Sequence, residues 1–334
     1  MFRLTCRQLI ILMLVALTLM ASGQASPALA QEQPVDCGVN VEAAGDWLLA
    51  FQSEDGGFST GFAPESDPGS TADAVVAMVR SGLDVDAFSR DGATPLTWLA
   101  EHVESGEALN AGLLGKVLSA VVAAGEDPSD FGGADLVALT VEALGNAPDE
   151  SGYLGMALAI LGLHDAGADI PASAVDALVA ARTEQGAIGF GPEQAPDTNS
   201  TALLAMVGAA ADRIDVQTAA LDYLRTIQNE DGGWPYQSPS DFGTESDANS
   251  TALVIQALIA AEVQLDAWNN PHHSLAAYQL EDGSFTFQQS APAPSFLATV
   301  AVLPAACGAA AWMLECEQCP ILLPTREATA TPSS

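Results

Sequence analysis

Two stretches along this chain share one pattern of apolar and polar residues. WLLAFQSEDGGF begins at Trp47 and YLRTIQNEDGGW begins at Tyr223, and the two align without a gap. Each is followed by a polar loop and then by a nearly continuous apolar run, STADAVVAMV from Ser70 and STALVIQALI from Ser250. Because self-similarity at a fixed period is typical of repeat architectures, the pattern predicts a repeated helical hairpin.

Four weaker copies extend the series over most of the chain. The spacing between the predicted second helices is about 40 to 50 residues, which is the scale of a helical-hairpin repeat. No alternating strand pattern of convincing length interrupts it, so the sequence predicts an all-α fold of six hairpins. The second helices are expected to begin near Ser70, Asn110, Gly152, Ser200, Ser250 and Ser295.

The two helices of each unit differ in polarity. The second, such as TALVIQALIAA from Thr251, is apolar on nearly every side, which is typical of a buried helix. The first carries charges on one side, as at Asp222 and Arg225, and is therefore expected to face water. An inner ring of buried helices inside an outer ring of amphipathic ones is an α/α toroid. A Ser or Thr at the start of each inner helix can cap it.

The two ends of the chain have a different composition. Arg3 and Arg7 precede an apolar run over residues 9–20, and Ala-Leu-Ala at 28–30 offers a cleavage site. This pattern predicts a secretory signal peptide, the alternative being a retained N-terminal anchor. We therefore expect a secreted or cell-surface protein with no integral membrane span in the mature chain. The predicted organisation is a signal peptide over 1–30, an N-terminal segment over 31–40, the toroid over 41–318 and a flexible Thr/Pro tail over 319–334.

Charge narrows the range of partners. The chain of 334 residues has a net charge of −34, and Lys116 is its one lysine. Such a surface repels nucleic acid and anionic headgroups, so neither is expected as a partner. It could attract divalent cations, or it could serve only to keep an exported protein soluble.

Cysteine usage agrees with export. Once the signal peptide is removed, four cysteines remain, and in an exported chain they predict two disulfides with three connectivities open. A bond from Cys37 to Cys307, or to the Cys316 and Cys319 pair, would join the first and last hairpins. Closing so long a loop is worth about 5 kcal/mol on the chain-entropy model.

The repeated motif resembles the QW repeat of squalene–hopene and related terpene cyclases. Tyr223-Leu-x3-Gln228-x3-Gly-Gly-Trp234 matches it, and the unit at Trp47 is similar with Phe in place of Trp. The wider resemblance is to the prenyltransferase/squalene-oxidase repeat superfamily of α/α toroids. It implies a structural role in which the glutamine ties the end of one helix to the start of the next. The residues concerned are Gln52, Gly56, Phe58, Gln228, Gly232 and Trp234.

The catalytic motifs of that superfamily are not found in the sequence. It contains neither the Asp-x-Asp-Asp acid of the cyclases nor an Asp-Asp-x-x-Asp diphosphate motif, and we expect no metal site and no resident cofactor. Exported relatives, the cobalamin carriers, have inner-helix starts similar to Asp247-Ala-Asn249-Ser-Thr. That resemblance leaves cobalamin, or a divalent cation, as an alternative ligand. The carriers also use a second β-domain, which is not expected here.

Polar residues at the inner-helix starts would converge at one mouth of a toroid. They can be read as caps and turn formers or as a ligand or cation mouth. We therefore expect a non-catalytic toroid that binds a small molecule, a lipid or a protein. The alternatives are a terpene cyclase/mutase-like enzyme with Asp67, Asp73 or Asp247 as its acid, and an (α/α)6 glycoside hydrolase. The predicted mouth residues are Asp67, Thr71, Asp197, Asn199, Tyr236, Asp247 and Asn249.

Overall fold

Twelve helices form in the part of the chain that the structure describes. The structure is a computed structural model, and it describes residues 38–107, 109–148, 151–241 and 243–315. In chain order the helices are α1 (Val41–Phe51), α2 (Pro68–Arg80), α3 (Pro95–Glu104), α4 (Ala111–Ala123), α5 (Leu136–Leu144), α6 (Gly152–Asp165), α7 (Ala172–Ala181), α8 (Thr198–Ala210), α9 (Ile214–Thr226), α10 (Ala248–Ala260), α11 (His272–Leu275) and α12 (Phe296–Glu315).

Short elements complete the described residues. Three 3-10 turns cover Val85–Ala87, Leu265–Trp268 and Ala276–Tyr278. Strands β1 (Phe285–Thr286) and β2 (Pro294–Ser295) form one antiparallel pair. The predicted signal peptide, the Thr/Pro tail and three of the four predicted disulfide cysteines, Cys37, Cys316 and Cys319, lie outside the described residues.

The even-numbered helices form a closed inner ring. Each packs against the next, from α2 to α4, α6, α8, α10 and α12, and α12 packs against α2. The odd-numbered helices lie outside this ring, and from α3 onward each contacts the inner helix of the preceding unit. The predicted all-α toroid of six hairpins is therefore confirmed, and each inner helix begins within two residues of its predicted start.

Small residues set the closest contact within the ring, between α4 and α6. A Cβ on Gly115 would lie 2.4 Å from the carbonyl oxygen of Leu158, and one on Gly162 would lie 2.6 Å from the carbonyl oxygen of Gly115. Real Cβ atoms do not approach that closely, so the two backbones meet only because both residues are glycine.

The glutamine of each well-matched repeat joins neighbouring units. Gln228 Nε2 donates to the carbonyl of Gly232 at 2.9 Å and to that of Trp268, in the next unit, at 2.7 Å. Gln52 makes the same pair of bonds to Gly56 and Phe88 at 2.7 and 3.2 Å. The turn itself needs a left-handed residue, which is Gly232 at φ +86°.

A threonine in the inner helix fixes the aromatic end of the turn. The N–H of buried Trp234 donates to Thr251 Oγ1 at 3.0 Å, and its indole Nε1 donates to the carbonyl of Leu224 at 2.8 Å. The same backbone-to-threonine bond recurs in three other units. These pairs are Phe58 with Thr71, Ile188 with Thr201, and Phe285 with Thr299.

Within the described ranges, none of the helices is both long and apolar enough to cross a membrane.

Candidate ligand-binding cavity

A cavity of about 800 Å³ occupies the centre of the ring, and all six inner helices contribute to its wall. Its middle is aliphatic, because the inner helices present branched and unbranched apolar side chains there. Among the lining residues, all of which are described, none is Phe, Tyr or Trp. The apolar wall includes Val76, Leu158, Leu203, Met206, Leu253 and Val300.

An ion pair lies at the end of the cavity where the inner helices begin. Lys116 Nζ donates to Asp73 Oδ2 at 2.6 Å, and each side chain is 28% exposed. Burial lowers the pKa of Lys116, but the charge and hydrogen bond of Asp73, with a further contribution from Asp67, outweigh it, so the pKa is raised above its ordinary value. The cavity therefore holds a charged ammonium paired with a carboxylate.

Two asparagines line the same end. Asn199 Oδ1 lies 2.9 Å from Ser250 Oγ, whose single proton it shares with the carboxylate of Asp247. Asn249 Oδ1 is buried and, among the described residues, has no hydrogen-bond donor. A buried acceptor without a donor is costly, so this oxygen is suited to accept a hydrogen bond from a bound molecule or water.

A second ion pair lies at the opposite end. Arg80 donates to Asp165 Oδ2 at 3.3 Å, linking α2 to α6, and His164 lies beside it on the cavity wall. Asp73 and Arg80 are seven residues apart on α2, so the two pairs are separated by about 10 Å along the helix axis. The cavity is thus an aliphatic tube with a neutralised ion pair at each end.

A smaller cavity of about 490 Å³ adjoins this end and shares His164 and Ala210 with the central one. Its wall is more polar and includes Asp169, Asp176 and Arg213.

The predicted aspartates at the helix starts are engaged in capping. Asp67, Asp197 and Asp247 are the N-caps of α2, α8 and α10, and each accepts bonds from both the backbone N–H and the hydroxyl of the serine three residues later, at 2.6 to 2.8 Å. None of the three is among the cavity-lining residues.

Two of these caps are deeply buried. Asp197 is 2% exposed and Asp247 is 1% exposed. Burial raises the pKa of Asp247 to about 6, against the hydrogen bonds of Ser250, which lower it. Burial also raises the pKa of Asp197. Both carboxylates therefore carry a desolvation cost at neutral pH.

The other predicted mouth residues are divided between scaffold, cavity and surface. Thr71 is fully buried in the first turn of α2, where its Oγ1 accepts a hydrogen bond from the N–H of Phe58. Asn199 and Asn249 line the cavity, as does the candidate acid Asp73. Tyr236 lies at the surface of the mouth, 48% exposed.

Sequence reasoning did not find Lys116, Arg80, His164 and Asp165 as cavity residues. A usable signal was present for Lys116, because it is the one lysine of the chain and lies within the apolar run AGLLGKVLSAVVA. A lone charge in a buried helix needs a partner or a polar cavity. In the described part of the chain, no three His, Cys, Asp or Glu side chains are placed so that they could hold a metal ion.

The closed double ring and its central cavity define an α/α toroid with an internal cavity. The chain belongs to the prenyltransferase alpha-alpha toroid domain family, whose model matches residues 5–116 and 152–302. No curated protein matches the chain.

Solved structures share the fold at low sequence identity. A glycosidase superposes with a TM-score of 0.61 at 13% identity, covering 80% of this chain and 96% of its own. The type II terpene cyclase MstE from Scytonema has a TM-score of 0.57 at 16% identity, covering 81% and 97%. An unsaturated glucuronyl hydrolase from Streptococcus agalactiae has a TM-score of 0.52 at 11% identity, covering 80% and 90%. At these identities the likeness concerns the fold.

Proposed function

We propose that this protein is an exported, non-catalytic toroid that binds a small, largely aliphatic molecule in its central cavity. The observation that carries the proposal is the aliphatic wall between two neutralised ion pairs. The volume of about 800 Å³ lies in the range of small-molecule sites. An apolar body would fill the tube, and a polar group at one end would meet Lys116, Asn199 and Asn249.

The chemistry of the wall favours binding over carbocation chemistry. A cyclase of the type that the sequence resembles needs a proton donor in its cavity and aromatic faces that stabilise cations. Asp73 is the one candidate acid that lines the cavity, and its carboxylate accepts the hydrogen bond of Lys116 instead of facing a ligand as a free acid. The candidates Asp67 and Asp247 are committed to helix caps, so these two carboxyl groups do not face one another across the cavity as a glycosidase pair would.

Export is supported by the signal-peptide pattern over residues 1–30 and by the chemistry of Cys307. A disulfide at this residue is part of the proposal, and the other three cysteines of the predicted mature chain lie outside the described residues. Disulfides persist outside the reducing cytosol. The closing bond proposed here therefore joins Cys307 to one of those three.

Native mass spectrometry of the protein purified from the cells that export it tests this function. We expect a bound lipid-like mass that is released on denaturation and is absent from Met206→Trp, whose larger side chain narrows the cavity. Ile214→Trp, on the outside of α9, is the matched control and should retain the ligand. Conversion of squalene or geranylgeranyl diphosphate by the wild type, or a bound mass that survives in Met206→Trp, would contradict the proposal.

A further inference from the structure

Exposed aromatic side chains gather at the mouth of the ring. Seven large apolar side chains are exposed in the described part of the chain, and the four aromatic ones all lie in loops that lead into inner helices. The three aliphatic ones lie on outer helices or at their ends. Exposed aromatic groups concentrated at one place commonly mark an interaction site. The four are Phe62, Phe190, Tyr236 and Phe287.

Three of the four occupy the same position in consecutive units. Phe190, Tyr236 and Phe287 each follow by two residues the buried residue whose N–H bonds to the inner-helix threonine. Their exposed fractions are also alike, at 42%, 48% and 42%. We call these three residues the aromatic rim. Their backbone setting therefore repeats from unit to unit.

Backbone hydrogen bonds fix the spacing of the aromatic rim. The carbonyls of Phe190, Tyr236 and Phe287 accept from the first turns of the preceding inner helices, namely from the N–H groups of Leu154 at 3.1 Å, Thr198 at 2.8 Å and Ala248 at 2.9 Å. The three residues are thus anchored to the neighbouring helices α6, α8 and α10. Packed helices lie about 8 to 10 Å apart, which sets the spacing of successive rim residues.

The loops around the aromatic rim carry charge of one sign. The four mouth loops, residues 52–67, 183–197, 228–247 and 279–295, contain 14 Asp and Glu and no Lys or Arg. Burial, followed by the charges of Asp197 and Asp247, raises the pKa of the Tyr236 phenol. Aromatic faces surrounded by carboxylates attract ammonium and guanidinium groups, both through the ring quadrupole and through charge.

We propose that the aromatic rim is a docking surface for a basic segment of a partner polypeptide, whose Lys or Arg side chains lie over the three rings. This site is separate from the central cavity and goes beyond the function proposed above. A segment in the polyproline II conformation has three residues per turn and advances about 3.1 Å per residue, so basic residues at every third position would lie on one face about 9 Å apart, which matches the 8 to 10 Å spacing of the rim. The surrounding carboxylates would neutralise the bound cations.

The experiment must separate specific docking from the general attraction of an acidic protein for cations. The probe is a fluorescein-labelled peptide (Arg-Gly-Ser)4, with a second peptide of the same composition whose four arginines are consecutive. Binding is measured by fluorescence polarisation at 0.15 M salt. The triple variant Phe190→Ala/Tyr236→Ala/Phe287→Ala has the same net charge as the wild type, so it removes only the rings. Ile214→Ala, a 65% exposed apolar residue on α9, is the control.

We expect the spaced peptide to bind more tightly than the clustered one and the triple variant to lose at least about tenfold in affinity, since three cation–π contacts are removed. Ile214→Ala should bind like the wild type, and circular dichroism should show that both variants are folded. Equal binding by wild type and triple variant would overturn the proposal, because it would reduce the interaction to net charge. Binding of the neutral glycan cellohexaose at the rim, without binding of the peptide, would also overturn it.

Discussion

The side-chain amide of Gln279 forms two hydrogen bonds with the backbone of Asn40, 239 positions earlier in the chain. Its Nε2 donates to the Asn40 carbonyl at 2.8 Å, and its Oε1 accepts the Asn40 N–H at 2.7 Å. The same Nε2 also donates to the carbonyl of Gly283 at 3.1 Å. Gln279 therefore does between the last and first units what Gln228 does between two consecutive ones.

Removal of this amide should weaken the junction between the first and last hairpins. We expect Gln279→Ala to lower the free energy of unfolding by about 1 to 3 kcal/mol, because backbone groups of Asn40 and Gly283 lose their partners. Hydrogen exchange of α1 should accelerate more than that of α8. The exposed Gln289→Ala is the control. Equal unfolding midpoints for both variants would show that the junction does not depend on this amide.

The buried cap Asp247 should make stability depend on pH. Its pKa of about 6 in the folded protein is higher than its ordinary 3.8, so the folded state holds the proton more tightly. The associated stability is fully present below the unfolded pKa and is lost as the pH rises through about 6. At pH 7 the free energy of unfolding is therefore lower by on the order of 3 kcal/mol than it is below the unfolded pKa, as far as this one group is concerned.

Asp247→Asn tests this dependence, because asparagine is also a good N-cap but does not ionise. Urea unfolding of both proteins should show the variant gaining stability relative to the wild type as the pH rises from 3.5 to 7. Because the other carboxylates are the same in both proteins, their contribution cancels in the difference between the two free energies of unfolding at each pH. A difference that stays constant over this range would mean that Asp247 does not titrate as described.

The ion pair inside the cavity should behave as a unit. We expect Lys116→Met and Asp73→Asn each to cost about 1 to 2 kcal/mol, less than for a fully buried pair because both side chains are partly exposed. The double variant should cost less than the sum, with a coupling of at least about 0.5 kcal/mol. Thermal unfolding of the wild type, the two single variants and the double variant gives the coupling energy as a double-mutant cycle. Additive effects would contradict a direct interaction between Asp73 and Lys116.

The proposed disulfide framework can be tested by counting thiols. The mature, unfolded chain should show no reactive thiol before reduction and four after it. Cys307→Ser should lower the unfolding midpoint of the non-reduced protein, since a bond across the ring restricts the unfolded chain. Detection of free thiols at all four cysteines before reduction would exclude the framework.

The sequence was sufficient for the scaffold because each hairpin repeats local rules. The glycine turn and the threonine of the inner helix recur in four units and the apolar run in all six, and together they predicted each inner-helix start to within two residues. The cavity was harder, because its wall joins residues far apart in sequence. Asp73 and Lys116 are 43 positions apart and Arg80 and Asp165 are 85 apart, so no local pattern indicates that they pair.

The candidate mouth residues illustrate a second limit. Aspartate before a helix has the same sequence signature whether it caps the helix or faces a ligand. Asp67, Asp197 and Asp247 turn their carboxyl groups to their own serines, whereas Asn199 and Asn249, two residues after a cap, line the cavity. Whether a polar side chain caps the helix or lines the cavity therefore depends on its position within the first helical turn.

The contact of α12 with α2 has a consequence for how such a protein can change over evolutionary time. An open array of repeats can gain or lose whole units, because each repeat contacts only its neighbours and the terminal repeats still cap the two ends. In a closed ring every inner helix packs against two others. Loss of one hairpin would therefore break two helix–helix interfaces and remove part of the cavity wall. Hairpins two and three, whose motifs are the most degenerate, are therefore needed to close the ring. The number of repeats in this architecture is expected to stay constant among related proteins.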